Sequence, residues 1–390
     1  MSKGKVCLVI VNLGKGGAET VLADLAKQLA KNHEVHICVF DNLLKQDIDP
    51  RCTIHTLLTF KTPSILRLLL IPFISFKLFR YLKAHQITNI ISFLERGNYV
   101  SCFLTFFTNR FNHIVTVNTA LSQWYKKGTL TGIVGRMLVK LFYPKANSVV
   151  CCSKYIAAEM KNLFGVDSQK ITTIYNGIDL DKIEKHQEGN TDIDSDVYTF
   201  IHVGSFYEGK NHLLLLDGFS QFLATSRKAN LILIGRGYMR DKILARISED
   251  NLLRSHVIAP ENVENQYAYM YQADCFVLSS DFEGLPTVIM EAFACGLNVI
   301  STDCISGPRE LLTEPLEIQK KLSAEIEIGT YGILYPVNNA TLLFKSLCMM
   351  FDDQEFAKKQ QQRISEIKGG FDINLMAGSY ASLLKFDTSD

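Results

Sequence analysis

The stretch "SSDFEGLPTVIMEAFACG", residues 279–296, places two glutamates eight positions apart around a Gly-Leu-Pro turn. The apolar segment "DCFVLSS" before it predicts a buried strand, and the small apolar residues after Pro286 predict a helix. On that helix Thr287 and Glu291 are four residues apart and share a face. The free amides of a first helical turn attract an anion. The stretch therefore predicts an anion site at the carboxyl end of a strand, flanked by the carboxylates of Glu283 and Glu291.

Segments typical of strands and helices alternate on both sides of this stretch. "KVCLVIV", "HEVHICVF", "ITNIISFL", "HIVTV" and "NSVVCCS" are short apolar strands of a first series, and "VYTFIHVGS", "ANLILIGRG", "HVIAP", "DCFVLSS" and "NVISTD" are those of a second. Helical periodicity between them indicates parallel sheets covered by helices. We predict an α/β fold of two doubly wound, Rossmann-like domains that face a cleft.

The length of the chain agrees with two domains. It has 390 residues, of which 47% are apolar and 21% charged, so it has enough apolar residues to build two cores. The polar segment "EKHQEGNTDIDSD" is the best linker. We expect an N-terminal domain over residues 1–185 and a C-terminal domain over 195–390. We also expect the last helix to pack back on the N-terminal domain.

Two further motifs follow predicted strands. "VGSFYEGKNH" opens a helix, and its Lys210 is suited to bind a phosphate as a point charge. In "NLGKGGAET", Gly16 and Gly17 allow the backbone to approach a ligand closely. This segment lacks the Walker and dinucleotide-binding spacings, and a plain tight turn explains it equally well.

Together these residues suit a nucleotide sugar. One carboxylate can accept hydrogen bonds from a ribose diol, helix amides can hold a diphosphate, and the other carboxylate can face the sugar. The Asp-x-Asp pairs do not follow buried strands, and the nine histidines lack zinc-ligand spacing. We therefore predict no metal site.

The motifs, with "IYNGIDL" and "GGAE", resemble the family 4 retaining glycosyltransferases of the GT-B fold over nearly the whole chain. The most similar members build lipopolysaccharide, O-antigen or lipid-linked oligosaccharides in bacteria. The resemblance implies that Glu291 binds ribose, that Glu283 lies near the donor sugar and reaction centre, and that Lys210 binds the diphosphate. It also assigns donor-site backbone positions to Gly16, Gly17, Gly284, Leu285, Pro286, Thr287 and Val288. Such enzymes retain the anomeric configuration and need neither a metal nor a cofactor.

Two positions depart from the family pattern. Ser205 stands where the family usually has an arginine that binds the diphosphate, so one cation of that site is missing unless Arg236 or another residue replaces it. Asn118 stands where the family often has a cleft histidine. Asparagine cannot act as an acid or base, but it can donate and accept hydrogen bonds with the sugar.

The N-terminal half is strongly basic. Residues 51–150 contain 13 Lys or Arg residues and one acid, Glu95. Two segments there, residues 64–83 and 126–145, mix these cations with long apolar residues. Charge and Pro72 interrupt the first, so an interfacial amphipathic helix fits it better than a spanning one. A core helix with a solvated basic face is the alternative. The residues expected to meet an anionic membrane surface are Arg67, Lys77, Arg80 and Lys83.

We therefore expect an enzyme that moves a sugar from a nucleotide sugar to a hydroxyl of a growing lipid-linked glycan. A UDP-sugar is the expected donor. The brief apolar run at the start of the chain is a strand and not a signal peptide, and there is no Cys-x-x-Cys pair. These features favour the cytoplasm, with the protein peripheral on the cytoplasmic face of the inner membrane.

Three alternatives stay open. A UDP-sugar epimerase of the same fold would use the same donor residues. A sugar-nucleotide-binding protein without catalysis is suggested by Ser205 and Asn118. A nucleic-acid binder would explain the basic stretch, but it leaves Glu283 and Glu291 unused and lacks stacking aromatics in a basic groove. We therefore expect no nucleic-acid partner.

Overall fold

The computed structural model describes residues 4–14, 16–41, 43, 46–58, 66–189, 191 and 193–386, without the side chains of Leu66 and Arg67. The chain forms two compact units. The first consists of Met1–Gly177 and Ile373–Asp390, and the second of Ile178–Asp372.

A parallel sheet forms the centre of the first unit. Its described strands, numbered along the chain, are β1 Lys5–Ile10, β2 Glu34–Val39, β3 Thr53–Thr56, β4 Asn89–Ser92, β5 Asn112–Val117, β6 Ser148–Cys151 and β7 Ile171–Thr173. They are ordered β3-β2-β1-β4-β5-β6-β7, and the pairs are parallel. Consecutive residues of β1, from Val6 to Ile10, are all buried, because helices cover both faces of the sheet.

Helices of the first unit pack on this sheet through apolar faces. They are α1 Gly17–Leu29, α2 Leu66–Leu69, α3 Ile71–Ala84, α4 Leu94–Phe103, α5 Leu121–Trp124, α6 Leu130–Phe142 and α7 Lys154–Asn162. In α1, the buried residues Leu22, Leu25 and Leu29 recur at helical spacing against the strand residues Leu8 and Ile37.

The C-terminal segment also belongs to the first unit. Its helix, Ile373–Ala381, places Met376 and Tyr380 in the same core as α1. Beyond the helix, the Asn89 amide donates to the carbonyl of Lys385 and accepts from its N–H, both at 2.8 Å. These bonds fix Lys385 beside the start of β4.

The second unit repeats the architecture. Its described strands are β8 Thr199–Val203, β9 Asn230–Ile234, β10 Val257–Ile258, β11 Cys275–Leu278, β12 Asn298–Thr302, β13 Glu327–Ile328 and β14 Ile333–Tyr335. They are ordered β10-β9-β8-β11-β12-β14-β13. The pairs are parallel except that β13 runs antiparallel to β14.

Helices again surround this sheet. They are α8 Leu180–Lys185, α9 His212–Leu223, α10 Arg240–Glu249, α11 Asn251–His256, α12 Gln266–Gln272, α13 Thr287–Ala294, α14 Pro308–Leu312, α15 Ala340–Asp352 and α16 Gln354–Ile367; the C-terminal helix of the first unit is α17. The core joins Phe219 and Phe222 of α9 to Phe200 of β8 and Leu343 of α15. The predicted class, α/β with two Rossmann-like domains, is confirmed.

The observed division differs from the expected boundaries at residues 185 and 195, because the change of unit falls between Gly177 and Ile178. The Asp179 carboxylate caps α8 by accepting from the N–H of Lys182 at 3.0 Å. The Asn265 amide then donates to the carbonyls of His186 at 2.9 Å and Glu188 at 3.3 Å. The segment expected to end the first domain is thus bound to the second unit.

The two basic segments form helices of the first unit. In α3, Ile74, Leu78 and Leu82 are buried, and Phe73 and Phe76 are exposed. The other segment contains α6, whose exposed residues include Ile133 and Met137. No helix among the described residues is both long enough and apolar enough to cross a membrane.

Candidate active site

The second sheet changes direction of growth between β8 and β11. β8 is followed along the chain by β9 on one side, and β11 is followed by β12 on the other. In open α/β sheets, ligands bind beyond the carboxyl ends of the strands at such a switch point. The loops that leave these two strands carry Lys210 and Glu283.

Polar contacts join the two loops. Asn211 ends the lysine loop in a left-handed conformation, with φ of 55°, and its amide donates to the Asp281 carboxylate at 2.9 Å. The N–H of Asp281 donates to the carbonyl of Gly209 at 2.9 Å. The Ser279 hydroxyl donates to the carbonyl of Lys210 at 2.7 Å. The position of Lys210 is therefore fixed by the loop that carries Glu283.

The Lys210 ammonium forms an ion pair with Oε1 of Glu283. The two side chains are only 14% and 12% exposed, and the Ser280 hydroxyl donates to the same carboxylate oxygen at 2.7 Å. Burial alone would lower the pKa of Lys210, but the Glu283 carboxylate and Tyr207 outweigh it, and the pKa is raised. Lys210 is therefore a largely buried side chain that stays cationic at neutral pH and is positioned to bind an anionic ligand.

The Gly-Leu-Pro turn leads directly into α13. Pro286 is the N-cap residue, and the helix begins at Thr287, so the first-turn amides point out of the helix end beside the loop of Glu283. The Ser306 hydroxyl donates to the carbonyl of Gly284 at 2.7 Å. Gly307 has φ of 80°, and a Cβ there would collide with Pro286. The turn is therefore held by a close backbone approach that only glycine allows.

Glu291 lies one turn into α13, as the spacing predicts. Its carboxylate accepts from the Gln266 amide at 3.0 Å and from the Tyr267 hydroxyl at 3.5 Å. Both partners belong to the first turn of α12, which the Asn265 side chain caps. The carboxylate is thus oriented by a neighbouring helix, as a hydrogen-bond acceptor for a ligand requires.

Ser205 and Arg236 lie on adjacent loops. The N–H of Phe206, the residue after Ser205, donates to the carbonyl of Arg236 at 2.8 Å, so the two loops are in direct contact. Both Ser205 and Arg236 are exposed. A Cβ at Gly235 would meet the carbonyl oxygen of Gly204, which shows how closely the loops approach. The backbone therefore brings Arg236 beside Ser205, the position at which the resemblance predicts an arginine.

The expected residues of the first unit also lie at carboxyl ends of strands. Gly16 is the N-cap residue of α1 and is packed against the Glu19 carboxylate, whereas a Cβ at Gly17 would meet open space. Asn118 follows β5 and is half-buried, with a weak bond of 3.5 Å from its amide to the Thr116 hydroxyl.

Several supporting residues acquire their roles only through the fold. Ser279 and Ser280 lie in the stretch 279–296 but have no predicted role, and Gln266 belongs to no motif. In the first unit, Leu94 begins α4 two residues after the end of β4 and has φ of 62°, and burial raises the pKa of the neighbouring Glu95. The signal for Glu95 was present, since it is the one acid in residues 51–150. Among the described residues, no group of three or more His, Cys, Asp or Glu side chains could hold a metal ion.

Two family models match the chain in sequence. Residues 15–182 match Glycosyltransferase Family 4, and residues 183–366 match Glycosyl transferases group 1. A Campylobacter jejuni protein, named N-acetylgalactosamine-N,N'-diacetylbacillosaminyl-diphospho-undecaprenol 4-alpha-N-acetylgalactosaminyltransferase, is 31% identical over 94% of this chain and 96% of its own length.

Solved structures share the fold. Sucrose-phosphate synthase from Thermosynechococcus elongatus superposes with a TM-score of 0.79 at 18% identity, covering 97% of this chain and 98% of its own. Anabaena HepE in complex with UDP gives a TM-score of 0.75 at 18% identity, with the same coverage of both chains.

The two Rossmann-like units are those of a GT-B enzyme that transfers sugars. The chain belongs to the glycosyltransferases that join a Family 4 N-terminal domain to a group 1 C-terminal domain.

Proposed function

We propose that this glycosyltransferase moves a sugar from a UDP-sugar to a hydroxyl of a lipid-linked glycan, with retention of anomeric configuration and without a metal. The observation that carries the proposal is the ion pair of Lys210 and Glu283 across the switch point of the second sheet, beside the N-terminus of α13. This arrangement offers a cation, a carboxylate and helix amides to one ligand.

The residues divide the donor between them. The diphosphate lies against Lys210, the amides near Thr287 and Val288, and the guanidinium of Arg236. The ribose hydroxyls donate to Glu291, which Gln266 and Tyr267 orient. The diphosphate competes with the Glu283 carboxylate for Lys210. The hydrogen bond from Ser280 then keeps Glu283 directed toward the sugar. Asn118 hydrogen-bonds a sugar on the acceptor side.

Transfer breaks the bond between the anomeric carbon and the diphosphate oxygen and forms a bond from that carbon to the acceptor hydroxyl oxygen. Lys210 and the α13 amides stabilise the negative charge that develops on the departing diphosphate. The hydroxyl proton passes to a departing phosphate oxygen. Because the hydroxyl enters on the face that the diphosphate leaves, the anomeric configuration is retained.

The relatives support the choice of substrates. Anabaena HepE was solved with UDP, and the name of the Campylobacter jejuni relative specifies an acceptor linked to diphospho-undecaprenol and the transfer of N-acetylgalactosamine. We therefore take UDP-N-acetylgalactosamine and a disaccharide on diphospho-undecaprenol as the first donor and acceptor to test.

The deciding experiment combines a donor panel with mass spectrometry of the lipid-linked product and NMR of the new glycosidic bond. We expect acceptor-dependent transfer with retained configuration that persists in EDTA. An inverted product or a strict need for a divalent cation would contradict the mechanism. Isomerisation of the UDP-sugar without acceptor would favour the epimerase, and UDP-sugar binding without turnover would favour a binding protein.

The first unit is proposed to dock on the cytoplasmic face of the inner membrane. Three of the four expected cations have described side chains, and that of Arg67 lies outside the described part. Arg80 and Lys83 are exposed, whereas Lys77 donates to the carbonyl of Leu57 at 3.0 Å and is less available. Exposed apolar residues beside these cations on α3 suit an interfacial helix.

A further inference from the structure

A groove of about 550 Å³ lies on the first unit between α3 and the segment that joins α4 to β5. Its volume is in the range of small-molecule sites. Aromatic side chains dominate its walls, with Phe76 and Phe79 on one side and Phe103 and Phe107 on the other. Phe76 and Phe107 are 58% and 74% exposed, so the groove presents an apolar surface to solvent.

Two cations complete the lining. Lys83 lies in the last turn of α3, one turn beyond Phe79 on the same face, and Arg110 lies two residues before β5. Both side chains are exposed, and neither has an ion-pair partner in the described part of the chain. The apolar groove therefore has two uncompensated positive charges in its lining.

These cations lie away from the residues expected to act on the acceptor. β4 begins at Asn89, soon after α3 ends, and β5 begins two residues after Arg110, so both cations are at the amino ends of the strands. Gly16 and Asn118 instead follow the carboxyl ends of β1 and β5. The cationic end of the groove thus lies at the amino ends of the strands, whereas the predicted acceptor residues lie at their carboxyl ends.

We propose that this groove binds one anionic phospholipid of the bilayer. One acyl chain packs against Phe76, Phe79, Phe103 and Phe107, and the phosphate lies between Lys83 and Arg110. A hydrocarbon chain joined to an anionic phosphate matches both the apolar walls and the two cations. A free phosphate would leave the aromatic walls exposed to water. The inference rests on the proposed membrane docking of the first unit and adds to it a discrete lipid site, whose cations lie at the amino ends of the strands.

Binding is testable with the full chain and a soluble lipid. Dioctanoyl phosphatidylglycerol, kept below its micelle-forming concentration, is titrated by calorimetry and counted by native mass spectrometry. We expect one lipid per chain. Dioctanoyl phosphatidylcholine and glycerol 3-phosphate should each bind at least about tenfold more weakly. The first lacks the net negative charge that the cations attract, and the second lacks the acyl chains that the aromatic walls bind. Equal binding of either probe, or no binding of phosphatidylglycerol, would overturn the site.

Charge variants separate this site from general attraction. Lys83→Glu with Arg110→Glu should weaken phosphatidylglycerol binding by at least about thirtyfold. Lys27→Glu with Lys161→Glu makes the same change in net charge on the same unit, at exposed positions outside both basic segments, and should leave binding unchanged. Lys83→Arg with Arg110→Lys keeps both charges and should retain it. Equal losses in the two charge-reversed variants would overturn the proposal.

Two further measurements complete the test. Sedimentation would reveal a dimer that lipid does not dissociate, and such a dimer, with no lipid bound, would assign the groove to a second copy of the chain. UDP affinity is measured on the same samples and should be equal in all variants, because the donor residues belong to the other unit. Loss of lipid binding with native UDP affinity would count against the lipid site alone, and absence of UDP binding in the native chain would count against the proposed transferase.

Discussion

The ammonium of Lys210 and the carboxylate of Glu283 form an ion pair that joins the two strands at which the second sheet reverses its strand order. The residues are 73 positions apart in the sequence. The loop of Glu283 holds both residues, because Ser279 donates to the backbone carbonyl of Lys210 and Ser280 donates to the carboxylate of Glu283. The pair is thus a preformed element to which a diphosphate and its sugar can bind.

Replacement of Lys210 should therefore slow the reaction more than it weakens donor binding. In Lys210→Ala, charge on the departing diphosphate loses its nearest cation, and we expect kcat to fall at least about tenfold, or about 1.4 kcal/mol. Steady-state kinetics with a fixed acceptor measure the change. Lys242→Ala removes an exposed lysine of the same unit and is the matched control. A native kcat in Lys210→Ala would exclude this role.

Glu283 and Glu291 should separate turnover from binding. Glu291→Ala removes the acceptor of the ribose hydroxyls and should weaken UDP binding by about 1–3 kcal/mol, the cost of unsatisfied polar groups. Glu283→Gln keeps the shape and should spare UDP binding while lowering kcat. Calorimetry with UDP and single-turnover assays distinguish the two. The assignment fails if both variants bind UDP and transfer sugar as the native enzyme does.

The contact between the loops of Ser205 and Arg236 gives a compensation test. Arg236→Ala should weaken UDP binding, because a diphosphate loses a charge-assisted hydrogen bond of about 1.5–3 kcal/mol. Ser205→Arg in that background should restore much of the loss, since the backbones of the two loops are hydrogen-bonded. If Ser205→Arg fails to rescue a weakened Arg236→Ala enzyme, the two positions do not serve one phosphate.

Much of the fold follows from local sequence. The strands and helices from "KVCLVIV" to "NVISTD" were predictable because parallel strands buried on both faces are continuous apolar runs. β3, with the sequence "TIHT", is a polar edge strand, and the two-residue β13 has no periodicity to detect. The unit boundary depends on contacts of α8 with α13 and of Asn265 with residues distant in sequence, which local patterns do not contain.

The site was predictable to the extent that its motifs are local. Position after a predicted strand was enough to identify four features: the Gly-Leu-Pro turn, Glu283, Glu291 and Lys210. Their pairing does not, because it depends on β8 and β11 being neighbours in the sheet. The supporting residues Ser280 and Gln266 are of common types at unremarkable positions. Only the three-dimensional arrangement identifies what they bind.

Buried His202 should make stability depend on pH. Its Nδ1–H donates to the carbonyl of Val277 at 2.8 Å, while Nε2 is buried without a partner among the described residues. Burial lowers its pKa to about 4, so below pH 6.5 the unfolded chain binds a proton that the folded chain excludes. The free energy of unfolding should therefore decrease as pH falls, by about 3 kcal/mol from this residue at pH 4.

Denaturant unfolding of the native chain and of His202→Gln between pH 7.5 and 4 measures the contribution of His202 to the free energy of unfolding. The amide of glutamine can donate to the same carbonyl and does not titrate, so the variant should lose less stability on acidification. Glu95 and Glu159 have pKa values raised by burial and act in the opposite direction, but they contribute equally to both proteins. His186→Gln, at an exposed position of the same unit, is the control. Parallel pH profiles for the native chain and His202→Gln would contradict the expectation.

The exposed stripe of α6 should contribute an apolar component to membrane docking. Leu130, Ile133, Met137 and Leu141 recur at helical spacing on the outer side of this helix, and Met137 is 61% exposed. Ile133→Gln with Met137→Gln should weaken flotation with phosphatidylglycerol liposomes at least about tenfold, since each apolar side chain contributes roughly 1 kcal/mol or more on burial. High salt should release more of this variant than of the native chain, because screening acts on the charges alone and the variant has lost part of the apolar contribution. Leu244→Gln with Leu252→Gln alters exposed leucines of the other unit and should leave flotation unchanged. Flotation of the α6 variant at the native level, or flotation of the native chain with neutral liposomes as strong as with anionic ones, would refute this mode of docking.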